Sequence, residues 1–343
     1  MSAISLSSKD VVSECQGEGL KEANKFSEQR PVQLGLCCLN TELRGRTIPV
    51  FASRKMIIRT IKQKGIDALK SKILQNLKDI LVMIMWNEMH GIRVFRLSSE
   101  MFPHKSNPRV EDYTFDFAKD LLEKIGKLAR YFGHRLTFHP GQYNVVGAIN
   151  EKAFKQTICD LSYHATVLDL MGMGYNSVMV VHGGGVYGDK EATKKRWCKQ
   201  YRMLPDNVKR RLVLENCERC FSIVDCLDVS REIGIPVVFD THHFECYKLL
   251  HLDEEFLPAE EYIPDILKSW TDRGIKPKFH VSEQGSGRCG HHSDYIEVIP
   301  NYLMEIPEKY GINIDIMIEA KMKEKAIFKL YSKYPILNCK VNV

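Results

Sequence analysis

Short apolar runs of strand length recur along this chain, and from mid-chain onward most end in a residue of metal-ligand type. RLTFHP reaches His139, SVMVVHGGG reaches His182, RLVLEN reaches Glu215, and IPVVFDTHH reaches Asp240, His242 and His243. KPKFHVS then reaches His280, and IDIMIEA reaches Glu319. Between the runs lie segments with helical spacing. From Ile66 to His90, Leu69, Ile73, Leu77, Ile80, Leu81 and Ile84 fall on one face. With VQLGLCCL from Val32 and IRVFRLSS at 92–99, the alternation of strand and helix occurs eight times. Helices are expected at 66–90, 112–132, 151–171, 190–204, 221–233, 254–273, 294–309 and 321–334. Gly133, Gly172, Gly234, Gly274 and Gly311 stand just past helix ends, where a left-handed C-cap needs them. Eight such units predict an α/β fold, a single (β/α)8 TIM barrel, with the metal site at the C-terminal ends of its strands. Residues 1–30 are polar and are expected as a tail, 31–335 as the barrel and 336–343 as a short C-terminal tail.

The rival fold, an open doubly wound sheet, lacks a phosphate fingerprint. GGGVYG at 183–188 has neither G-x-G-x-x-G nor Walker A spacing, so no nucleotide cofactor is expected. The 343 residues accommodate a barrel of about 250 plus extensions. A net charge of +6 permits a polyanionic partner without requiring one. Eleven cysteines are scattered, and the one C-x-x-C, CERC at 217–220, lacks a second pair, which speaks against a zinc knuckle. Reduced thiols fit a cytoplasmic or nuclear compartment. No run approaches the ~18 apolar residues of a membrane span, and the N-terminus has no secretory pattern.

The candidate ligands are His139, His182, Glu215, Asp240, His243, His280, His292 and Glu319. A single histidine of this kind is more often structural, but six ligand-type residues at successive strand ends are not placed by chance. One ion with open positions takes about three protein ligands, so the set suits two or three divalent ions. Mixed imidazole and carboxylate donors suit manganese, zinc or iron better than magnesium or calcium. Clustered ions about 3.5–4 Å apart perform in-line displacement at phosphorus. The same donors also suit sugar isomerases and amide or ester hydrolases, and the ligand list alone does not separate these.

Nine ordered blocks do separate them. FRLSSEMFPHKSNP, HPGQYNVVG, DLSYHATVLDLMG, VHGGGVYGDK, RLVLEN, VVFDTHHFEC, KFHVSEQ, GHHSDYI and IEAKMKE, across residues 33–325, resemble the UV damage endonucleases. The resemblance implies a metal-dependent barrel, related in fold to endonuclease IV, that nicks duplex DNA immediately 5′ to UV photoproducts and some other lesions. Manganese is the ion it implies, with zinc as the alternative. It implies metal ligands at all eight candidates, selecting His243 over His242 and His292 over His291. It places catalytic roles on Glu215, Lys278 and His280, with Lys278 matching a lysine that can be carboxylated. Gln142 and Tyr143 match a pair that probes the damaged base pairs, and Asn40 matches an asparagine that faces DNA. Two positions depart from the pattern: Asn107 stands where the family usually has a ligand histidine, with His104 three residues earlier as a substitute, and Leu36 stands where an aromatic is common.

Phosphate contacts are expected from the basic loop after the first strand, with Arg44, Arg46, Arg54, Lys55 and Arg59. Lys190, Lys194, Lys195, Arg196 and Lys199 read instead as a solvated helix face. The reading is an intracellular, monomeric DNA repair endonuclease with damaged double-stranded DNA as its partner and no membrane contact. Two alternatives are a xylose-isomerase-like barrel enzyme acting on a small sugar-like substrate, and a damage-binding protein impaired in catalysis.

Overall fold

Burial on both faces makes the apolar runs strands, and in this computed structural model, which describes residues 30–338, all eight form. They are β1 (Val32–Cys37), β2 (Val94–Arg96), β3 (Arg135–Thr137), β4 (Met179–His182), β5 (Leu212–Glu215), β6 (Val237–Asp240), β7 (Lys278–Val281) and β8 (Ile314–Ile318). The order is β3-β2-β1-β8-β7-β6-β5-β4, and every pairing is parallel. The ends of this sheet meet through one bridge, Phe138 to Met179, so the barrel is nearly closed. Most of the expected tail at 1–30, and residues 339–343, lie outside the described residues.

The connecting helices are α1 (Ile66–Met89), α2 (Lys119–Tyr131), α3 (Glu151–Leu170), α4 (Lys190–Arg202), α5 (Ile223–Ile233), α6 (Thr241–Leu250), α7 (Ile263–Thr271) and α8 (Glu324–Lys333). The five glycines expected at helix ends all take left-handed backbone, with φ between 65° and 69°. Several expectations shift, among them the helix expected from 112, which begins only with a 3₁₀ turn at Asp116 and becomes α2 at Lys119. The helix expected from 254 starts only at Ile263, because Pro258 and a 3₁₀ turn, Ala259–Tyr262, precede it. The helix expected at 294–309 is two short pieces, Asn301–Met304 and Ile306–Tyr310, following Pro300 and containing Pro307. The expected C-terminal tail begins inside a 3₁₀ turn, Pro335–Leu337, whose Leu337 is buried.

Helix α6 was not foreseen at all. The Asp240 side chain caps it, accepting from His242 N and His243 N at 2.8 Å each, so the helix starts directly from the end of β6. Elsewhere, polar clamps tie helices to the strands. Glu88, at the end of α1, accepts from Arg93 (2.6 and 3.0 Å) and from His134 (3.0 Å) beside β2 and β3. Arg211 is buried and donates to Asp169 at 2.7 Å and to the carbonyls of Met173, Gly174 and Ser177.

Burial raises the Glu88 carboxyl, but the bonds from His134 and Arg93 outweigh it and hold the group down at about 2. A carboxyl lowered from 4.5 contributes stability above that pH and loses it as pH falls toward 2. Glu88→Gln should therefore cost about 2–3 kcal/mol at pH 7 and almost nothing near pH 2. Urea unfolding of both proteins across this window checks it; a difference that does not shrink with acid would contradict the clamp.

Candidate metal centre

In a parallel barrel the last residues of the strands face a common mouth. Glu215, ending β5, is wholly buried there. Its Oε2 lies 2.9 Å from His139 Nε2 and 3.2 Å from His182 Nε2. Its Oε1 lies 2.7 Å from His280 Nδ1 and 3.8 Å from His243 Nδ1. One carboxylate thus divides the donors into two sets. Glu319, after β8, has Oε1 3.2 Å from His280 Nδ1 and accepts a hydrogen bond from the Arg96 guanidinium. Asp240 spends Oδ1 on capping α6, while Oδ2 stands 3.9 Å from His243 Nδ1.

Seven of the eight expected ligands fall into groups whose donor atoms lie within 4.8 Å of one another: His139, His182 and Glu215; Glu215, Asp240 and His243; and Asp240, His280 and Glu319. His292 stands farther out, with Nδ1 3.9 Å from Glu319 Oε2, and is in none of these groups. A fourth group, His182, Glu218 and His243, adds a carboxylate absent from the sequence reading. Its only signal was its place three residues past Glu215 in CERC. Asp240 Oδ2 and His280 Nε2 are buried with no hydrogen-bond partner, which a native fold avoids unless something else binds them. The donor set therefore fits divalent ions.

Burial draws the His139 imidazole down to about 4 against the pull of Glu215. Burial also opposes charge on His182 and His243, but the carboxylates beside them prevail and lift both to about 10. Lys278 lies wholly buried two residues before His280, its Nζ donating to Thr137 Oγ1 at 2.9 Å. Burial, with Arg135 and Arg96 nearby, lowers its amine to about 7.

The remaining candidates divide. Gln142 and Tyr143 are exposed on the β3–α3 loop, and the Tyr143 hydroxyl donates to Asp160 at 3.4 Å. Asn144 Nδ2 bonds the same aspartate at 2.7 Å and pins the loop. Asn40 is buried, with Oδ1 accepting from Leu43 N at 2.8 Å as a helix cap. Leu36 is wholly buried in β1. His104 Nε2 donates to Met56 O at 2.7 Å, and its Nδ1 accepts from Asn107 Nδ2 at 3.1 Å. The two residues weighed as rival ligands therefore satisfy each other. Arg54 is not a free phosphate contact: it bonds Asp79 (2.7 Å) and Pro49 O (2.7 Å) and stacks on Phe51. Lys55 pairs with Glu100, while Arg44, Arg46 and Arg59 are exposed. Helix α4 is less solvated than expected, because Lys190 and Lys194 pair with Asp225, and Lys194 also with Asp228.

An eight-stranded parallel barrel with imidazole and carboxylate donors packed at its mouth defines the class: a barrel whose open face carries donor groups that could hold metal ions. Residues 32–342 match the UV-endonuclease UvdE family, and the chain belongs to it. It is 41% identical over 311 residues to a putative UV-damage endonuclease of Acanthamoeba polyphaga mimivirus, covering 89% of this chain and 92% of that one. It is 38% identical to the UV-damage endonuclease of Schizosaccharomyces pombe, covering 89% of this chain and 51% of that one. The crystal structure of SacUVDE superposes with a TM-score of 0.75 at 27% identity, covering 89% of this chain and all of that one. A D-tagatose 3-epimerase-like protein, at 13% identity and TM-score 0.53, shares the fold alone.

Ligation requires neutral imidazoles, so loading ions at pH 8 should displace the protons on His182 and His243, about two per protein. Titrating metal-stripped protein with Mn²⁺ in buffers of differing ionisation enthalpy measures that release. The Glu215→Gln, Asp240→Asn double variant should lose both proton release and the thermal stabilisation by Mn²⁺. That stabilisation is about 2.7 kcal/mol at a hundredfold excess over Kd. His104→Ala should leave metal stoichiometry unchanged.

Proposed function

We propose that this chain is a divalent-metal-dependent endodeoxyribonuclease that hydrolyses one phosphodiester 5′ to UV photoproducts and other lesions in duplex DNA. The observation that carries the reading is the donor cluster around Glu215 in a chain of this family. Two or three bound divalent ions, manganese by preference and zinc as the alternative, would supply an activated water and neutralise charge building on the phosphorus and the leaving oxygen. His139, His182, His243, His280, Asp240 and Glu319 hold them, with Glu215 facing both donor sets and His292 closing in from the rim. Arg96 keeps Glu319 ionised by a direct hydrogen bond. Lys278, with an amine near neutrality in the barrel interior, is suited to carboxylation, which would exchange a repelled cation for an anion beneath the cluster.

The exposed Gln142 and Tyr143 are read as the lesion probe, since an amide and an aromatic ring fill and stack within an opened duplex. Arg44 and Arg59 are the exposed phosphate contacts of this loop, with Arg46 beside them paired to Glu42 at 3.1 Å. Asn40, expected to face DNA, is buried and would act on it indirectly, by capping the turn Thr41–Arg44 that carries Arg44. Action as a monomer belongs to the same proposal. Among the described residues no helix is long and apolar enough to cross a membrane.

Purified protein with Mn²⁺ should nick UV-irradiated supercoiled plasmid and spare the unirradiated form, and a chelator should abolish nicking until Mn²⁺ is restored. Full activity in chelator, or equal cutting of both plasmids, would end this reading. Glu215→Gln should lower kcat by two or more orders of magnitude. Gln142→Ala with Tyr143→Ala should instead weaken binding of a lesion duplex by about 1–3 kcal/mol at unchanged metal content.

A further inference from the structure

The glycine run after His182 has a role other than phosphate binding. A Cβ on Gly183 would fall 2.2 Å from the Phe221 ring, and one on Gly184 would fall 2.5 Å from Val145 Cγ1. Bare backbone at Gly184 lets the loop after β4 press against the loop after β3, which carries Gln142 and Tyr143, while bare backbone at Gly183 seats it on Phe221 of the loop after β5. The two strands adjoin through the Phe138–Met179 bridge, and the histidines at their ends, His139 just past β3 and His182 closing β4, meet at 3.2 Å. The loops therefore rise side by side at one edge of the donor cluster.

Tyr187 sits at the turn of the second loop. Its φ is +53°, left-handed backbone that a bulky residue adopts only at a cost, and the residue is 50% exposed. The barrel core does not use its ring. Instead the ring rests on the Arg196 guanidinium, 5.4 Å from its centroid. Arg196 is itself fixed: Nε donates to Gly147 O and Nη2 to Thr193 Oγ1, each at 2.8 Å. Gly147 belongs to the β3 loop, so one arginine locks the support of Tyr187 to the loop that carries Tyr143. An exposed aromatic on strained backbone and a rigid mount is poorly explained by folding and well explained by contact with a ligand.

We propose that Tyr187 is a second aromatic contact for DNA, stacking on a base beside the lesion while Gln142 and Tyr143 meet the lesion itself. The inference rests on the nuclease reading above. Two aromatic faces on adjacent, mutually braced loops would hold successive bases of a distorted strand across the His139–His182 edge. Stacking of this kind tolerates any base, so Tyr187 would add affinity for the opened duplex without selecting sequence.

The test uses the full chain loaded with Mn²⁺ and a duplex carrying a single photoproduct, with 2-aminopurine at the neighbouring positions. Tyr187→Ala should weaken binding roughly 5- to 100-fold and restore fluorescence at a position different from that affected by Tyr143→Ala. Tyr187→Phe should behave as wild type. Tyr187→Gly removes the ring and suits the positive φ, so it should weaken binding equally while the melting temperature holds or rises. Metal content should not change in any of them. The inference is overturned if the alanine and glycine variants bind as tightly as wild type while Tyr143→Ala does not. It is also overturned if the glycine variant loses metal or melts lower, which marks the ring as structural. A wild type that ignores the photoproduct overturns the nuclease reading, and this inference with it, and is distinguished by that control.

Discussion

Glu215 is a carboxylate with no access to water, and a charge so placed must be offset within a few ångström. His139, His182 and His280 stand within 3.2 Å of it, and His243 at 3.8 Å. Burial raises the Glu215 carboxyl, but charge at His280 and His182 and the hydrogen bonds from His139 and His182 outweigh it and hold the group well below the usual range. The same demand for positive charge continues outward, as Arg96 answers Glu319 and the raised His243 answers Asp240. A centre with three buried carboxylates and four imidazoles at close range is a poor way to stabilise a core. Its donors lie close enough to hold metal ions, and the barrel strands set the few ångström between them.

The backbone devices that set those distances are local. Asp240 is both the last residue of β6 and the cap of α6, so a single side chain starts the helix and orients His243 on its first turn. Capping consumes one oxygen and leaves the other aimed at the cluster. Lys278 and His280 alternate along β7 with Phe279, so the strand's period of two puts both polar groups on the inner face. Thr137 on β3 receives the lysine from across the barrel.

Around the mouth, the loops separate charge that serves the fold from charge that remains available to a partner. Arg54 packs on Phe51 and bonds Asp79, and Arg196 braces two loops, so neither is a free cation. Arg44, Arg46 and Arg59 keep their exposure on the loop after β1. Availability, rather than the count of basic residues, decides where a phosphate backbone can be met.

All eight strands, their order of chemistry and the five glycine helix ends were legible in the sequence, because burial on both faces writes an unbroken apolar run and a left-handed cap requires glycine. The strand ends likewise pointed to His139, His182, Glu215, Asp240, His280 and Glu319, while the choice of His243 over His242 came from the family resemblance. What the sequence could not show was partnership between distant segments. Nothing in the spacing of His104 and Asn107 reveals that they bond to each other, that Arg54 is spent on Asp79, or that Glu218 turns back toward His182 and His243. Nor did the pattern reveal α6, whose start depends on a cap indistinguishable in sequence from a ligand. Strand and helix are set by periodicity over neighbouring residues, so the sequence alone determined them. Which polar side chain is free and which is already satisfied is set by contacts across tens or hundreds of residues, and only the tertiary structure decided that.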